Sequence, residues 1–249
     1  MAIVNGMRAH APADRRTLLE ELVVVLSLSL LASAAYAILS IATAPVRGVT
    51  VTSANQSPQL ARQLLGVIFG LAPVYLVLHL VRRSGERLAG IGLALDRPRR
   101  DLAQGIALFA IVGAAGTGVY LVAVELGVNR FVVPAPPAGH WWTVPILILT
   151  SVQAALLEEV IVVAYLVTRL RQVSWTPALA ILASGGLRAT YHLYQGWGGF
   201  AGNLAMGLLF AWLFTRTRRA WPFVVAHLLL DVAAGAGYLL FPEFARGLG

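Results

Sequence analysis

The chain has 249 residues, 58% of them hydrophobic and only 12% charged, whereas a water-soluble domain carries about 25% charged residues. A soluble fold of this length could not cover its surface with so few charges. The net charge of +8 is carried by arginines alone, and they lie between apolar runs instead of clustering on one face, which excludes a nucleic-acid partner. With no cysteine, the chain can have no disulfide framework, thiolate-bound metal or thiol nucleophile.

Residues 1–17 are polar and run into a long apolar stretch without a small-residue cleavage site. They read as a cytoplasmic tail leading into a retained first span. Roughly seven apolar segments follow, at 18–44, 61–81, 102–127, 143–168, 177–195, 199–215 and 222–241, most of them near the ~20 residues needed to cross a bilayer core. Each should be helical, because an open strand edge cannot satisfy its hydrogen bonds in lipid. The sixth is short and flanked by glycine, so it is open to tilt or re-entry. The expected fold is an all-α polytopic bundle of about seven transmembrane helices. Residues 18–249 form one membrane domain, without internal repeats.

Arginine placement sets the expected orientation. Arg8, Arg15 and Arg16 precede the first segment. Arg82, Arg83, Arg87, Arg97, Arg99 and Arg100 follow the second, Arg169 and Arg171 the fourth, and Arg216, Arg218 and Arg219 the sixth. The alternate connections hold Arg47 and Arg62, then Arg130, then none, with Arg246 at the C-terminus. Such alternation places the N-terminus in the cytoplasm. The all-arginine, alanine-rich composition suggests a multi-pass protein of a bacterial plasma membrane.

Ionisable groups deep in a membrane cost at least ~2.5–3.5 kcal/mol each on insertion scales and therefore mark candidate functional sites. Glu158 and Glu159 in the fourth segment and Asp231 in the seventh are the acids so placed. At a rise of ~1.5 Å per residue, Glu159 lies about 15 Å inside Arg169, and Asp231 about 14 Å inside Pro222. His227 precedes Asp231 by one helical turn and shares its face. In the fifth segment Arg188 reaches a similar depth, near 16 Å, while His192 at ~22 Å needs tilt or a break at Gly185-Gly186 to join them. Arg188 should be paired, with Glu158 or Glu159 as the obvious partner. His10, His79 and His140 read as loop or interfacial residues.

These residues fall into three ordered blocks. Glu158-Glu159, the stretch Tyr191-His192-Leu193-Tyr194-Gln195-Gly196-Trp197, and His227 with Asp231 resemble the EExxxR, FxxxH and HxxxN/D motifs of the CPBP family. That family, also called Abi or CAAX-protease-like, comprises intramembrane endopeptidases, and the resemblance spans about residues 153–237. It implies that Glu158 is the general base that activates a water and that Glu159 is its paired glutamate. It further implies that His192, His227 and Asp231 hold the water or stabilise the oxyanion. Two positions depart from the pattern: Val163 replaces the motif arginine, and Arg188 replaces the motif phenylalanine. Arg188 is expected to supply from the neighbouring span the charge missing at Val163. Ionised Asp231 can only accept hydrogen bonds, so it would orient His227 or bind a metal.

The first functional reading is a metal-free, glutamate-dependent endopeptidase acting on a membrane-tethered peptide or protein. A zinc-dependent version would draw its ligands from Glu158, His192, His227 and Asp231. The rival reading is a catalytically degenerate scaffold or an ion- or proton-coupled transporter.

Overall fold

The computed structural model describes residues 14–43, 50–52 and 55–243. Arg8, His10, Arg47 and Arg246, and most of the expected N-terminal tail, lie outside them. The first helix, α1 (Arg15–Ser27), starts three residues earlier than its apolar run because Asp14 caps it, accepting from the Thr17 amide at 2.8 Å. A carboxylate there satisfies an amide that would otherwise lack a partner. α2 (Leu30–Thr43) continues at an angle of 51°. The bend falls where Ser29 turns its hydroxyl back onto the Val25 carbonyl at 2.6 Å, a contact that competes with the helical ladder.

α3 (Leu60–Gly70) and α4 (Ala72–Arg83) join at Leu71, ahead of Pro73, into one span of 24 residues. α5 (Pro98–Glu125) opens with a proline and runs 28 residues. α6 (Thr143–Glu158) passes into a π-helical stretch, Glu159–Tyr165, and then into α7 (Leu166–Gln172), a continuous run of 30 residues. α8 (Pro177–Tyr191), α9 (Trp197–Thr217) and α10 (Trp221–Leu240) complete the bundle. A short parallel strand pair, β1 (Thr50–Thr52) with β2 (Phe131–Val133), ties two connections together at the end opposite the arginine-rich loops; nothing in the apolar pattern announces it.

All the apolar segments are helical, as expected of a polytopic bundle. Among the described residues, five helical runs are long and apolar enough to cross a bilayer, and the bent α1–α2 pair makes a sixth if it is one span. Of the seven apolar segments read from sequence, the fifth is the one whose helix falls short of spanning length. α8 has only 15 residues, about 22 Å of helix against a ~30 Å hydrocarbon core. The path still turns back at the far end, because the loop after α5 dips inward to meet the end of α8. Asn129 and Arg130 in that loop are buried, and Asn129 bridges to Gly196. The segment read as short and Gly-flanked is instead the full-length α9, with 21 residues.

α8 and α9 pack almost backbone to backbone. A methyl group at Gly207 would stand 2.9 Å from the Gly185 Cα, and one at Gly185 would stand 3.0 Å from the Leu208 amide nitrogen. Small residues permit such approach where lipid offers no hydrophobic drive for helices to associate. At the centre lies the π-helical stretch, all seven residues of which are buried. Its wider turn frees a carbonyl, and the Ser184 hydroxyl on α8 donates to that of Val162 at 2.8 Å.

Candidate active site

The switch from α- to π-helix falls between the two glutamates, and they have different surroundings. The Glu159 side chain is fully buried, whereas that of Glu158 retains 12% exposure. Both carboxylates face Arg188 of α8, itself fully buried. Its Nη2 donates to Glu158 Oε2 at 3.2 Å and pairs with Glu159 Oε1. The expected pairing of Arg188 is thus met twice over. Val163, in the motif arginine's position, is buried in the π-helical turn.

The remaining partners come from two other places. On α10, His227 Nδ1 lies 2.8 Å from Glu159 Oε1, so it donates to that carboxylate. The other ring nitrogen, Nε2, faces Asp231 Oδ2 at 3.6 Å, a separation for an ion pair and too long for a good hydrogen bond. Asp231 is the most open of the group, with its side chain 38% exposed. At the end of α8, the Tyr191 hydroxyl donates to Glu158 Oε2 at 2.6 Å. His192 caps the same helix, its Nδ1 bonded to the Arg188 carbonyl at 3.1 Å. Because a carbonyl only accepts, Nδ1 carries the proton and Nε2 is the ring's free position. The His192 ring lies 4.7 Å from that of Tyr191 and within electrostatic reach of Glu158.

Glu158, Glu159, Arg188, His227 and Asp231 therefore form one chain of contacts, and His192 adjoins it through Arg188 and Tyr191. α8 is unbroken at Gly185-Gly186, so His192 reaches the site because α8 ends there, close to Glu158, and not through a break. Tyr191 was not singled out in the sequence, although a signal was present. It follows Arg188 by three residues, the spacing that places both on one helix face.

Arg130 is another buried cation, one that the depth argument missed because it sits in a loop. It donates to the Tyr194 carbonyl at 3.0 Å and to Ser40 of α2 through its hydroxyl at 2.6 Å and its carbonyl at 3.0 Å. These bonds pin the 3₁₀ turn Leu193–Gln195, just after His192.

The donor types Glu158, His192, His227 and Asp231 would suit zinc. Among the described residues, however, no group of three or more His, Asp or Glu side chains is arranged to hold a metal ion. His227 is turned with Nδ1 to Glu159 instead. The arrangement does not fit a preformed metal centre.

Residues 140–233 match the family model described as Type II CAAX prenyl endopeptidase Rce1-like. No curated protein and no solved structure matches the chain. The matched stretch begins ahead of α6, ends within α10 and contains every member of the Glu158–Asp231 cluster. Over this stretch, less than half of the chain, the protein is similar to the Rce1-like members of the CPBP family of membrane proteases.

Proposed function

We propose that the protein is an intramembrane endopeptidase that hydrolyses a peptide bond of a membrane-tethered peptide or protein, with Glu158 as general base. The division of labour between the glutamates supports this reading best. Glu159 is sealed against Arg188 and His227, while Glu158 is partly open and uses only Oε2 for Arg188 and Tyr191. Glu158 Oε1 is then the atom available to a water.

In this reaction the water oxygen attacks the peptide carbonyl carbon while one of its protons passes to Glu158. The carbonyl electron pair moves onto oxygen to give a tetrahedral oxyanion. As the C–N bond breaks, Glu158 returns the proton to the departing nitrogen, leaving a carboxyl terminus and an amine. His192, anchored through Nδ1, uses the Nε2 lone pair to orient the water. Arg188 and Tyr191 are positioning residues that fix the Glu158 carboxylate. His227 and Asp231 hold Glu159, and with it Arg188, in place. No step is routed through a metal; metal content of the purified protein and activity after chelation check this independently.

The family's name points to C-terminal peptides carrying a prenyl group as the first substrates to try. The arginine asymmetry supports a cytoplasmic N-terminus, and the all-arginine, alanine-rich composition supports a bacterial plasma-membrane protein. The central test compares the membrane proteomes of wild-type and Glu158→Gln cells. Accumulation of uncleaved membrane-tethered substrates in the variant is expected. If instead a deletion strain has a phenotype that Glu158→Gln fully complements, the protein acts as a scaffold.

A further inference from the structure

The arginine-rich end of the bundle has more cations than it can neutralise. Three acids lie in and just after the connection between α4 and α5, and buried or half-buried arginines engage each of them. Glu86 pairs with Arg169 at 2.5 Å. Asp101 accepts from Arg219 twice, at 2.6 Å each time, and Asp96 accepts from Arg219 at 2.8 Å. The exposed Arg87, Arg99 and Arg100 have no carboxylate partner among the described residues, and Arg97 has only a share of Asp96 at 3.4 Å. Arg218 leans over the same loop, donating to the Gly90 carbonyl at 2.8 Å. Partial burial, together with the like charge of Arg171, draws its guanidinium below the usual range. Beside these cations the surface is apolar. Leu95 is 72% exposed at the tip of the loop, and Leu102 and Ile106 project from the first turns of α5.

We infer that this loop, residues 87–100 with Arg218, is a binding surface for anionic phospholipids. Phosphate would be held by Arg87, Arg97, Arg99 and Arg100, while Leu95 enters the interface and acyl chains lie along Leu102 and Ile106. The combination of features selects a lipid over a soluble anion. Guanidinium groups without a full carboxylate partner flank the start of α5, a helix long and apolar enough to span a bilayer, beside the exposed apolar side chains of Leu95, Leu102 and Ile106. Clusters of four to eight basic residues at the ends of spans are the known sequence sign of such recognition. Arg219 helps to make the surface by engaging both Asp101 oxygens and Asp96 Oδ1, which leaves only Asp96 Oδ2 to Arg97 and no carboxylate to Arg87, Arg99 or Arg100.

The test uses the full-length protein in detergent, titrated with phosphatidylglycerol or phosphatidylcholine and read by native mass spectrometry. Wild type should retain phosphatidylglycerol about tenfold or more over phosphatidylcholine. Replacing Arg97, Arg99 and Arg100 together by Gln should abolish that preference, whereas Arg62→Gln, at the opposite end, should leave it intact. Arg87→Gln and Leu95→Gln, each alone, should reduce it partially and guard against failure of the triple variant to fold. Equal preference in wild type and a folded triple variant would overturn the proposal. So would displacement of phosphatidylglycerol by millimolar inorganic phosphate, or by a poly-glutamate peptide, which would mark a general anion site or a protein-binding one.

Discussion

Arg188 holds two carboxylates and carries the greatest electrostatic load in the site. Its Nε and Nη1 have no hydrogen-bond partner in the buried space around it; attraction to Glu158 and Glu159 is what sustains the charge. Removing one partner of a buried ion pair costs about 3–5 kcal/mol, because the remaining charges are left uncompensated. Arg188→Ala is expected to lower the thermal midpoint of the purified protein strongly. Arg188→Lys should retain folding but lose activity, since a point charge cannot hold two carboxylates in one plane. Glu158→Gln keeps an amide oxygen for Arg188 and Tyr191 and leaves Arg188 paired with Glu159, so it should lower the midpoint less than loss of Glu159 does and reduce peptide hydrolysis by about 10²–10⁴-fold, the usual contribution of a general base. Glu159→Gln should do the opposite in kind, destabilising first, because it breaks the contacts to Arg188 and His227. An equal loss of stability in both variants would contradict the division of roles between the glutamates. Tyr191→Phe removes one donor to Glu158 without changing packing, and a drop in kcat with KM preserved is expected.

Among the elements, the α8–α9 pair decides where the chemistry sits. α8 carries Arg188, Tyr191 and His192, and its distance from the π-helical stretch depends on how closely α9 supports it from behind. Gly207→Ala would place a methyl 2.9 Å from the Gly185 Cα and 3.1 Å from the Arg188 Cδ. Backbone on one side and a site residue on the other leave little room to relax, so a cost of about 1–3 kcal/mol is expected from overpacking. A loss of activity larger than the loss of stability would show that α8 had moved against the glutamates; activity tracking folded protein alone would show that it had not. The π-helical turn belongs to the same device. It rotates Glu159 into the interior while Glu158 stays at the margin, a use of π-bulges that recurs at functional sites.

For the molecule as a whole, the arginine-rich end is fastened by Arg219, which joins the loop before α5 to the turn before α10. Its hydrogen bond to Asp96 holds that exposed carboxyl below the usual range. A carboxyl depressed in the folded state contributes stability above its unfolded value, near pH 4, and loses it as pH falls through the lower folded value. Asp96→Asn should therefore matter little to thermal stability below that window and show its modest cost at neutral pH, as melting curves across the acid range would reveal.

Much of this architecture was legible in the chain itself. Composition and the length of the apolar runs determined the membrane class, since neither a soluble surface nor an open sheet could be built from them. The rise per residue placed Glu159, Arg188 and Asp231 at one depth, and the helical period put His227 beside Asp231. The order of the three motif blocks pointed to the family. Only the tertiary structure decided the rest. Depth along separate helices says nothing about rotation about their axes, so which glutamate is sealed and which is open depended on the π-helical switch between them. The length of α8 was hidden because an apolar run continues through the turn that ends it. Tyr191 and Arg130 were missed for a related reason: their roles arise from contacts across the bundle, to Glu158 in one case and to Ser40 and Tyr194 in the other, and a linear pattern does not carry contacts between elements.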